Sequence, residues 1–212
     1  RSLLETKCKE IYSGDVEYAA KATNRFVAMM NKSPIALLSE IANEQHYEVP
    51  ADFFGQVMGD HLKYSCCYWP DNVSNLSEAE VAALELSVKR AGIEDGMQVL
   101  DLGCGWGSLS LWIAEHFPNG FITSVSNSAS QREFILKKAS ERSIQNIEVI
   151  VCDMNDFTTD KQFNRVVSIE MFEHMHNYGE LFRRINDWLL PDGHFFMHIF
   201  CHRTTPYEYL DK

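Results

Sequence analysis

Hydrophobic and polar positions alternate along the second half of the chain in a regular strand and helix rhythm. Val99, Leu100 and Leu102 make a short apolar run, long enough for a buried strand and too short for a helix, and it ends in glycines at 103, 105 and 107. An apolar-faced stretch over 108–117 follows, then the Pro118-Asn119-Gly120 turn and an apolar run over 121–125. The same alternation predicts a helix over 129–142, strands over 147–152 and 164–169, and a helix with Phe182, Ile185, Trp188 and Leu189 on one side. Pro191-Asp192-Gly193 predicts a turn into a fifth strand over 194–200. Right-handed crossovers arrange these strands as a parallel sheet in the order 3-2-1-4-5. Its switch point lies beside the first strand, at whose carboxyl end an open α/β sheet holds its ligand.

The first third reads differently. Residues 3–41 are expected to be helical, with Ser33-Pro34 opening a helix whose apolar face is Ile35, Leu37, Leu38 and Ile41. Residues 53–75 read as an irregular aromatic stretch, and Ser77-Glu78-Ala79-Glu80 as a capping box opening a helix that ends near Gly92. Two parts are therefore expected: residues 1–75, a helical extension with an aromatic lid, and residues 76–212, an α/β core.

The glycine turn limits the ligand. Gly103 and Gly105 let a ligand approach bare backbone, which a Cβ would obstruct. No lysine follows the last glycine as a phosphate-binding P-loop requires, and the spacing is G-x-G-x-G rather than the dinucleotide G-x-G-x-x-G. Asp101 just before the turn suits a cationic or hydroxyl-bearing group. An adenosine-bearing cation, S-adenosylmethionine (SAM), is the expected cofactor. The fold expected is then the Rossmann-like class I SAM-dependent methyltransferase fold, whose sheet would add two strands beyond the fifth, so the chain is expected to stop short of a complete sheet.

Composition changes the picture little. With 30 acidic against 19 basic residues the net charge is −11, and no basic run interleaved with aromatics suggests nucleic acid. That balance suits a cationic small molecule better than an anionic membrane. The six cysteines show no C-x-x-C pair and no zinc spacing, so no metal is expected and a reducing, cytosolic compartment is. No apolar run is long enough to span a bilayer. Homodimerisation is the assembly left open.

The fourth strand ends in Glu170, Glu173 and His174. If a helical turn begins there, the three share a face, since residues three and four apart are neighbours. Methyl transfer needs a deprotonated nucleophile held in line with the methyl group, and a carboxylate and imidazole together can orient an amine and take its proton. The plainer alternative is a helix cap and a core histidine.

Four segments, KYSCCYW at 63–69, VLDLGCGWGSLSLWIAE at 99–115, ITSVSNSASQREFI at 122–135 and SIEMFEHMHNYGEL at 168–181, resemble the plant coclaurine N-methyltransferase family, which is related to the cyclopropane-fatty-acid synthases. The resemblance implies an N-methyltransferase acting on the amine of a benzylisoquinoline-type alkaloid, with Glu170, Glu173 and His174 catalytic. It also implies cofactor contacts at Tyr64, Ser65, Asp101, Gly103, Asn127, Gln131, Asp153, Met154 and Ile169, to which the glycine turn adds Gly105. Many methyltransferases of this fold end strand two with an acid for the ribose hydroxyls; here Asn127 and Gln131 would serve, although Gln131 also completes a capping box with Ser128. Asp153 is expected to accept from the adenine amino group, with Met154 against the ring. Tyr68 and Trp69, with Tyr64, are candidates for lining the path of a cationic amine. Cys66, Glu173 and His198 match positions where the cyclopropane synthases hold bicarbonate, which keeps a lipid activity as the alternative; the plainer reading of Cys66 and His198 is a buried thiol and a core-facing strand histidine. An inactive SAM-binding form is the third reading.

Overall fold

The computed structural model describes residues 5, 15–37, 51–202 and 206. Strands β1 (Gln98–Leu102), β2 (Phe121–Ser126), β3 (Ile147–Val151), β4 (Phe163–Ile169) and β5 (Leu189–His198) form one sheet in the order β3-β2-β1-β4-β5. All pairings are parallel. The order reverses at β1, which pairs with β2 from Gln98↔Phe121 to Leu102↔Val125 and with β4 from Val99↔Arg165 to Asp101↔Val167. The described helices are α1 (Val16–Met30), α2 (Ala51–Val57), α3 (Leu76–Ala91), α4 (Ser108–His116), α5 (Ala129–Glu141) and α6 (Tyr178–Trp188), with a 3-10 turn at Phe172–His174.

Both faces of the sheet are covered. Val99 on β1 and Val167 on β4 pack with Ile113, Ile122 and Ile135, while the next positions along, Leu100 and Val166, point the other way into Phe157, Phe163 and Leu181. Successive strand residues face opposite sides, so a continuous apolar run is what two buried faces require. Each such side chain contributes about 1.5–3 kcal/mol when fully buried.

Four local expectations are corrected. Ser33-Pro34 does not open a helix: α1 ends at Met30, Ser33 Oγ donates back to Met29 O at 3.2 Å, and Ala36 forms an antiparallel bridge with Met175. Leu38 and Ile41 lie outside the described residues. The aromatic stretch is not wholly irregular, because α2 occupies its start. The cap of α3 is Asn75, whose Oδ1 accepts from Glu78 N–H at 3.0 Å, while Ser77 Oγ instead accepts from Asp60 N–H at 3.1 Å. Pro191-Asp192-Gly193 lies within β5, not before it, and Leu189 begins that strand rather than ending α6. Phe163 pairs with Leu189 but Arg165 with His194, so the extra residues of the turn are absorbed as an irregularity in the ladder.

Candidate active site

At the end of β1 the backbone turns through left-handed conformations, with φ of 78° at Gly103 and 54° at Gly105. The turn is held by the Gly103 and Cys104 N–H groups, both donating to Val125 O at 3.0 Å. A Cβ on Gly103 would lie 2.8 to 2.9 Å from Met171, whereas one on Gly105 would meet nothing within 4 Å and would project into free space. Beneath the turn Asp101 is only 2% exposed. Ser124 Oγ donates to Ser110 Oγ at 2.8 Å, and Ser110 Oγ donates to Asp101 Oδ2 at 2.6 Å. Burial pushes the Asp101 carboxyl up to about 6, with the Ser110 bond pulling the other way.

Two cavities adjoin the turn. The larger, about 350 Å³, is lined by Tyr64, Ser65, Asp101, Gly103, Gly105 and Ile169. The smaller, about 120 Å³, is lined by Gly103, Gly105, Asn127, Gln131, Asp153 and Met154. Every position predicted to touch the cofactor therefore borders one cavity or both, and Glu170 and His174 border both. In the smaller cavity the Gln131 side chain is 2% exposed, its Oε1 accepts from Ser126 Oγ at 2.6 Å, and its Nε2 has no hydrogen-bond partner among the described residues. A buried amide donor without a partner costs about 1–3 kcal/mol, which a hydroxyl-bearing ligand would relieve. The capping role holds as well, since Ser128 Oγ accepts from Gln131 N–H at 3.3 Å.

Ala36 and Leu37, at the end of the segment after α1, border this smaller cavity. Ala36 N–H donates to Asn155 Oδ1 and Asn155 Nδ2 returns a bond to Ala36 O, both at 3.0 Å, and His176 N–H donates to Ile35 O at 2.7 Å.

On the other side of the turn the chain leaves β4 through Glu170, a non-glycine residue with φ of 51°, a conformation costing an L-residue about 1–2 kcal/mol. Its N–H donates to His198 O at 2.8 Å, and its Oε1 accepts from Cys66 N–H at 3.1 Å and lies 4.0 Å from His198 Nδ1. Cys66 Sγ stands 3.7 Å from His198 Nε2. Cys66 is exposed rather than the buried thiol that its type suggests, and His198 is half-buried. Partial burial and the adjoining Glu170 carboxylate push the Cys66 thiol up to about 11, so it is protonated at neutral pH.

The three acidic and imidazole groups do not share one face. A helical turn starts only at Phe172, so Glu170 and His174 border the cavities while Glu173 turns away, its Oε1 accepting from Phe200 N–H and its buried Oε2 having no partner among the described residues. Tyr68 and Trp69, 49% and 54% exposed, border neither cavity; Tyr68 lies in a groove along the outer side of α3. Tyr64 does border the larger cavity, edge-on to Phe54 with ring centroids 5.2 Å apart.

Two residues to which the sequence reading gives no role at the site hold this side together. Glu80 on α3 is fully buried and accepts from the N–H groups of Gly59, His61 and Lys63 at 3.0, 2.8 and 3.1 Å. Buried Lys63 donates from Nζ to Ser65 Oγ at 2.5 Å and to Cys66 O at 2.7 Å. Nothing in the local spacing marks Glu80 for this role, since it stands five positions after the cap Asn75 on a helix whose neighbouring positions mix charged and apolar residues.

Residues 38–209 match the family model described as mycolic acid cyclopropane synthetase. The chain belongs to that family and resembles its coclaurine N-methyltransferase branch. It is 39% identical over 206 residues to (S)-coclaurine N-methyltransferase of Thalictrum flavum subsp. glaucum, covering 97% of this chain and 56% of that protein. It is 32% identical over 167 residues to cyclopropane-fatty-acyl-phospholipid synthase of Escherichia coli (strain K12), covering 78% and 42%. The crystal structure of coclaurine N-methyltransferase bound to N-methylheliamine and SAH superposes with a TM-score of 0.93 at 37% identity, covering 98% of this chain and 60% of that one. The family member thus has the class I SAM methyltransferase fold and spans about half the length of the curated relatives it matches.

Proposed function

We propose that this chain forms the cofactor-binding and catalytic core of a SAM-dependent N-methyltransferase that methylates the amine of a benzylisoquinoline-type alkaloid. The observation that carries this reading is the meeting of two cavities at Glu170 and His174, one built from the glycine turn and one from the ends of β2 and β3. SAM, when bound, supplies an electrophilic methyl group on a sulfonium. Asn127 and Gln131 hold its ribose, Asp153 and Met154 its adenine, and Asp101 with Tyr64 and Ser65 its cationic amino-acid end.

Glu170 orients the amine and, with His174, accepts the proton that an amine carries at neutral pH; general base catalysis of this kind contributes about 10²- to 10⁴-fold. Exposed His174 passes the proton to solvent. Glu173 acts at one remove, by tying down the backbone at Phe200. The free thiols among the described cysteines suit a reducing compartment such as the cytosol, and the acidic surface suits a cationic substrate. Among the described residues no helix is long and apolar enough to cross a membrane.

One observation favours a lipid-modifying reading: the Cys66 and His198 contact, at positions where cyclopropane synthases keep bicarbonate. Glu173, the third of those positions, stands apart from the pair, and Glu170 takes the Cys66 N–H instead. Product mass spectrometry distinguishes the readings when the chain is incubated with SAM, secondary and tertiary isoquinoline amines, and unsaturated phospholipid vesicles. A methylated amine, lost in Glu170→Ala/His174→Ala with cofactor affinity kept by calorimetry, is the expected result. A one-carbon gain confined to the lipid would overturn it.

A further inference from the structure

Cys66, Glu170 and His198 come from three separate parts of the chain, and one ligand-type atom of each lies within 4.8 Å of the other two. Cys66 is exposed and the other two are half-buried, so solvent ions reach them. A thiolate, an imidazole nitrogen and a carboxylate oxygen are the donors that zinc prefers, and around a tetrahedral zinc such atoms stand roughly 3.3–3.8 Å apart. The observed 3.7 Å between Cys66 Sγ and His198 Nε2 already matches; the 4.0 Å from Glu170 Oε1 is to Nδ1 of the same ring, so the Glu170 carboxylate must turn toward Nε2 for one ion to take all three donors.

The donor types at the gap suit a cation. The Cys66 N–H is already given to Glu170 Oε1 at 3.1 Å. Lys63, the ammonium beside the cluster, directs two of its three donors to Ser65 Oγ and Cys66 O. What faces the gap is a carboxylate, a sulfur and a ring nitrogen.

We infer that Cys66, Glu170 and His198 form a three-ligand site for a borderline-soft divalent cation, zinc by preference, with its fourth position open to water. Binding exchanges the Cys66 thiol proton for the metal, releasing that proton to solvent. Occupancy takes the Glu170 carboxylate away from the cavities, so zinc is an inhibitor that competes with the amine and leaves the cofactor side untouched. That consequence rests on the proposed N-methyltransferase reading; the binding itself does not.

Cobalt titration of the purified chain under reducing conditions reads the site without any assay of activity. One equivalent of Co²⁺ is expected to give a thiolate-to-cobalt charge-transfer band that zinc bleaches. The band disappears in Cys66→Ser, persists in Cys67→Ser, whose sulfur lies on Ser65 O instead, and in His198→Ala needs at least about tenfold more metal, since losing even an outer partner of a metal ligand costs 10- to 100-fold. Circular dichroism of each variant confirms that it is folded. No band in the parent chain, or a band that survives Cys66→Ser, overturns the site; loss of methyl transfer to any amine with the band intact would instead count against the proposed function alone.

Discussion

Two neighbouring strands, β1 and β4, end in the same way, with the backbone passing through a left-handed residue at the ligand edge of the sheet, yet they do it with opposite chemistry. After β1 the turn is made by Gly103 and Gly105, which adopt that conformation without steric cost; Gly103 makes room for Met171 and Gly105 faces open space. After β4 it is made by Glu170, which bears the cost because its carboxylate is wanted there. The first turn is a shape and can be built from absent side chains. The second is a functional group, and distant contacts must hold it: Cys66 by a side-chain bond and His198 by a backbone bond.

Converting the second turn into the first gives the largest effect. Glu170→Gly removes the strain and the acid together, so turnover on an amine is expected to fall by about 10²- to 10⁴-fold while the midpoint of thermal unfolding stays level or rises. Steady-state kinetics and calorimetry on one preparation check both halves. A clear loss of stability would show that the carboxylate holds the fold, and the contrast between the two turns would fail.

The same contrast explains what was legible in the chain. The β1 turn is written in its glycines, and the strands beside it are written in runs of apolar residues that admit only a doubly covered sheet. The β4 corner is not written locally. Helical spacing puts Glu170, Glu173 and His174 on one face, but Glu170 is drawn out of helical geometry by Cys66, 104 residues earlier, and the helical turn begins two residues late. Glu173 consequently swings to Phe200. Residues 33–37 mislead for a similar reason, because Asn155 and His176 claim backbone groups that a helix would have used. Glu80 reads in the sequence as the acid of a capping box opened by Ser77, and only the fold reveals three backbone donors from residues 59–63 converging on it.

Asp101 tests whether the β1 side also sacrifices stability to function. Its carboxyl is moved from 3.8 to about 6 by burial. Below about pH 4 it is protonated in both states and contributes no difference. Between pH 4 and 6 the unfolded chain ionises while the folded protein does not, so stability falls as pH rises, by about 3 kcal/mol once both states are ionised, at about 1.4 kcal/mol per pH unit. Asp101→Asn, which can still accept from Ser110, is expected to be more stable than the parent at pH 8 by that order and nearly equal to it at pH 4. Urea unfolding at the two pH values measures this; an equal difference at both would mean that packing rather than ionisation sets it.

Gly105→Ala makes the reverse conversion, placing a side chain where the chain has none. The conformation alone costs about 1–2 kcal/mol, and the added methyl meets no protein atom within 4 Å. Its remaining effect therefore falls on whatever occupies the cavity. Calorimetry is expected to show SAM affinity reduced beyond the loss seen in thermal unfolding; equal affinity would mean that the ligand does not approach this part of the turn.

The smallest effect sets the outer limit of the site. Tyr68 and Trp69 lie close in sequence to Tyr64 and share its aromatic character, but the strap that Glu80 and Lys63 pin down turns only Tyr64 toward the larger cavity. Substitutions at exposed positions away from special contacts usually change free energies by less than about 0.5 kcal/mol. Trp69→Ala and Tyr68→Ala are therefore expected to alter kcat/KM for an amine by less than about threefold, and Tyr64→Ala by more. If Trp69→Ala proved the more damaging, the amine would have to enter over the exposed end of the strap, and the acceptor side of the site would extend beyond the corner that Glu170 defines.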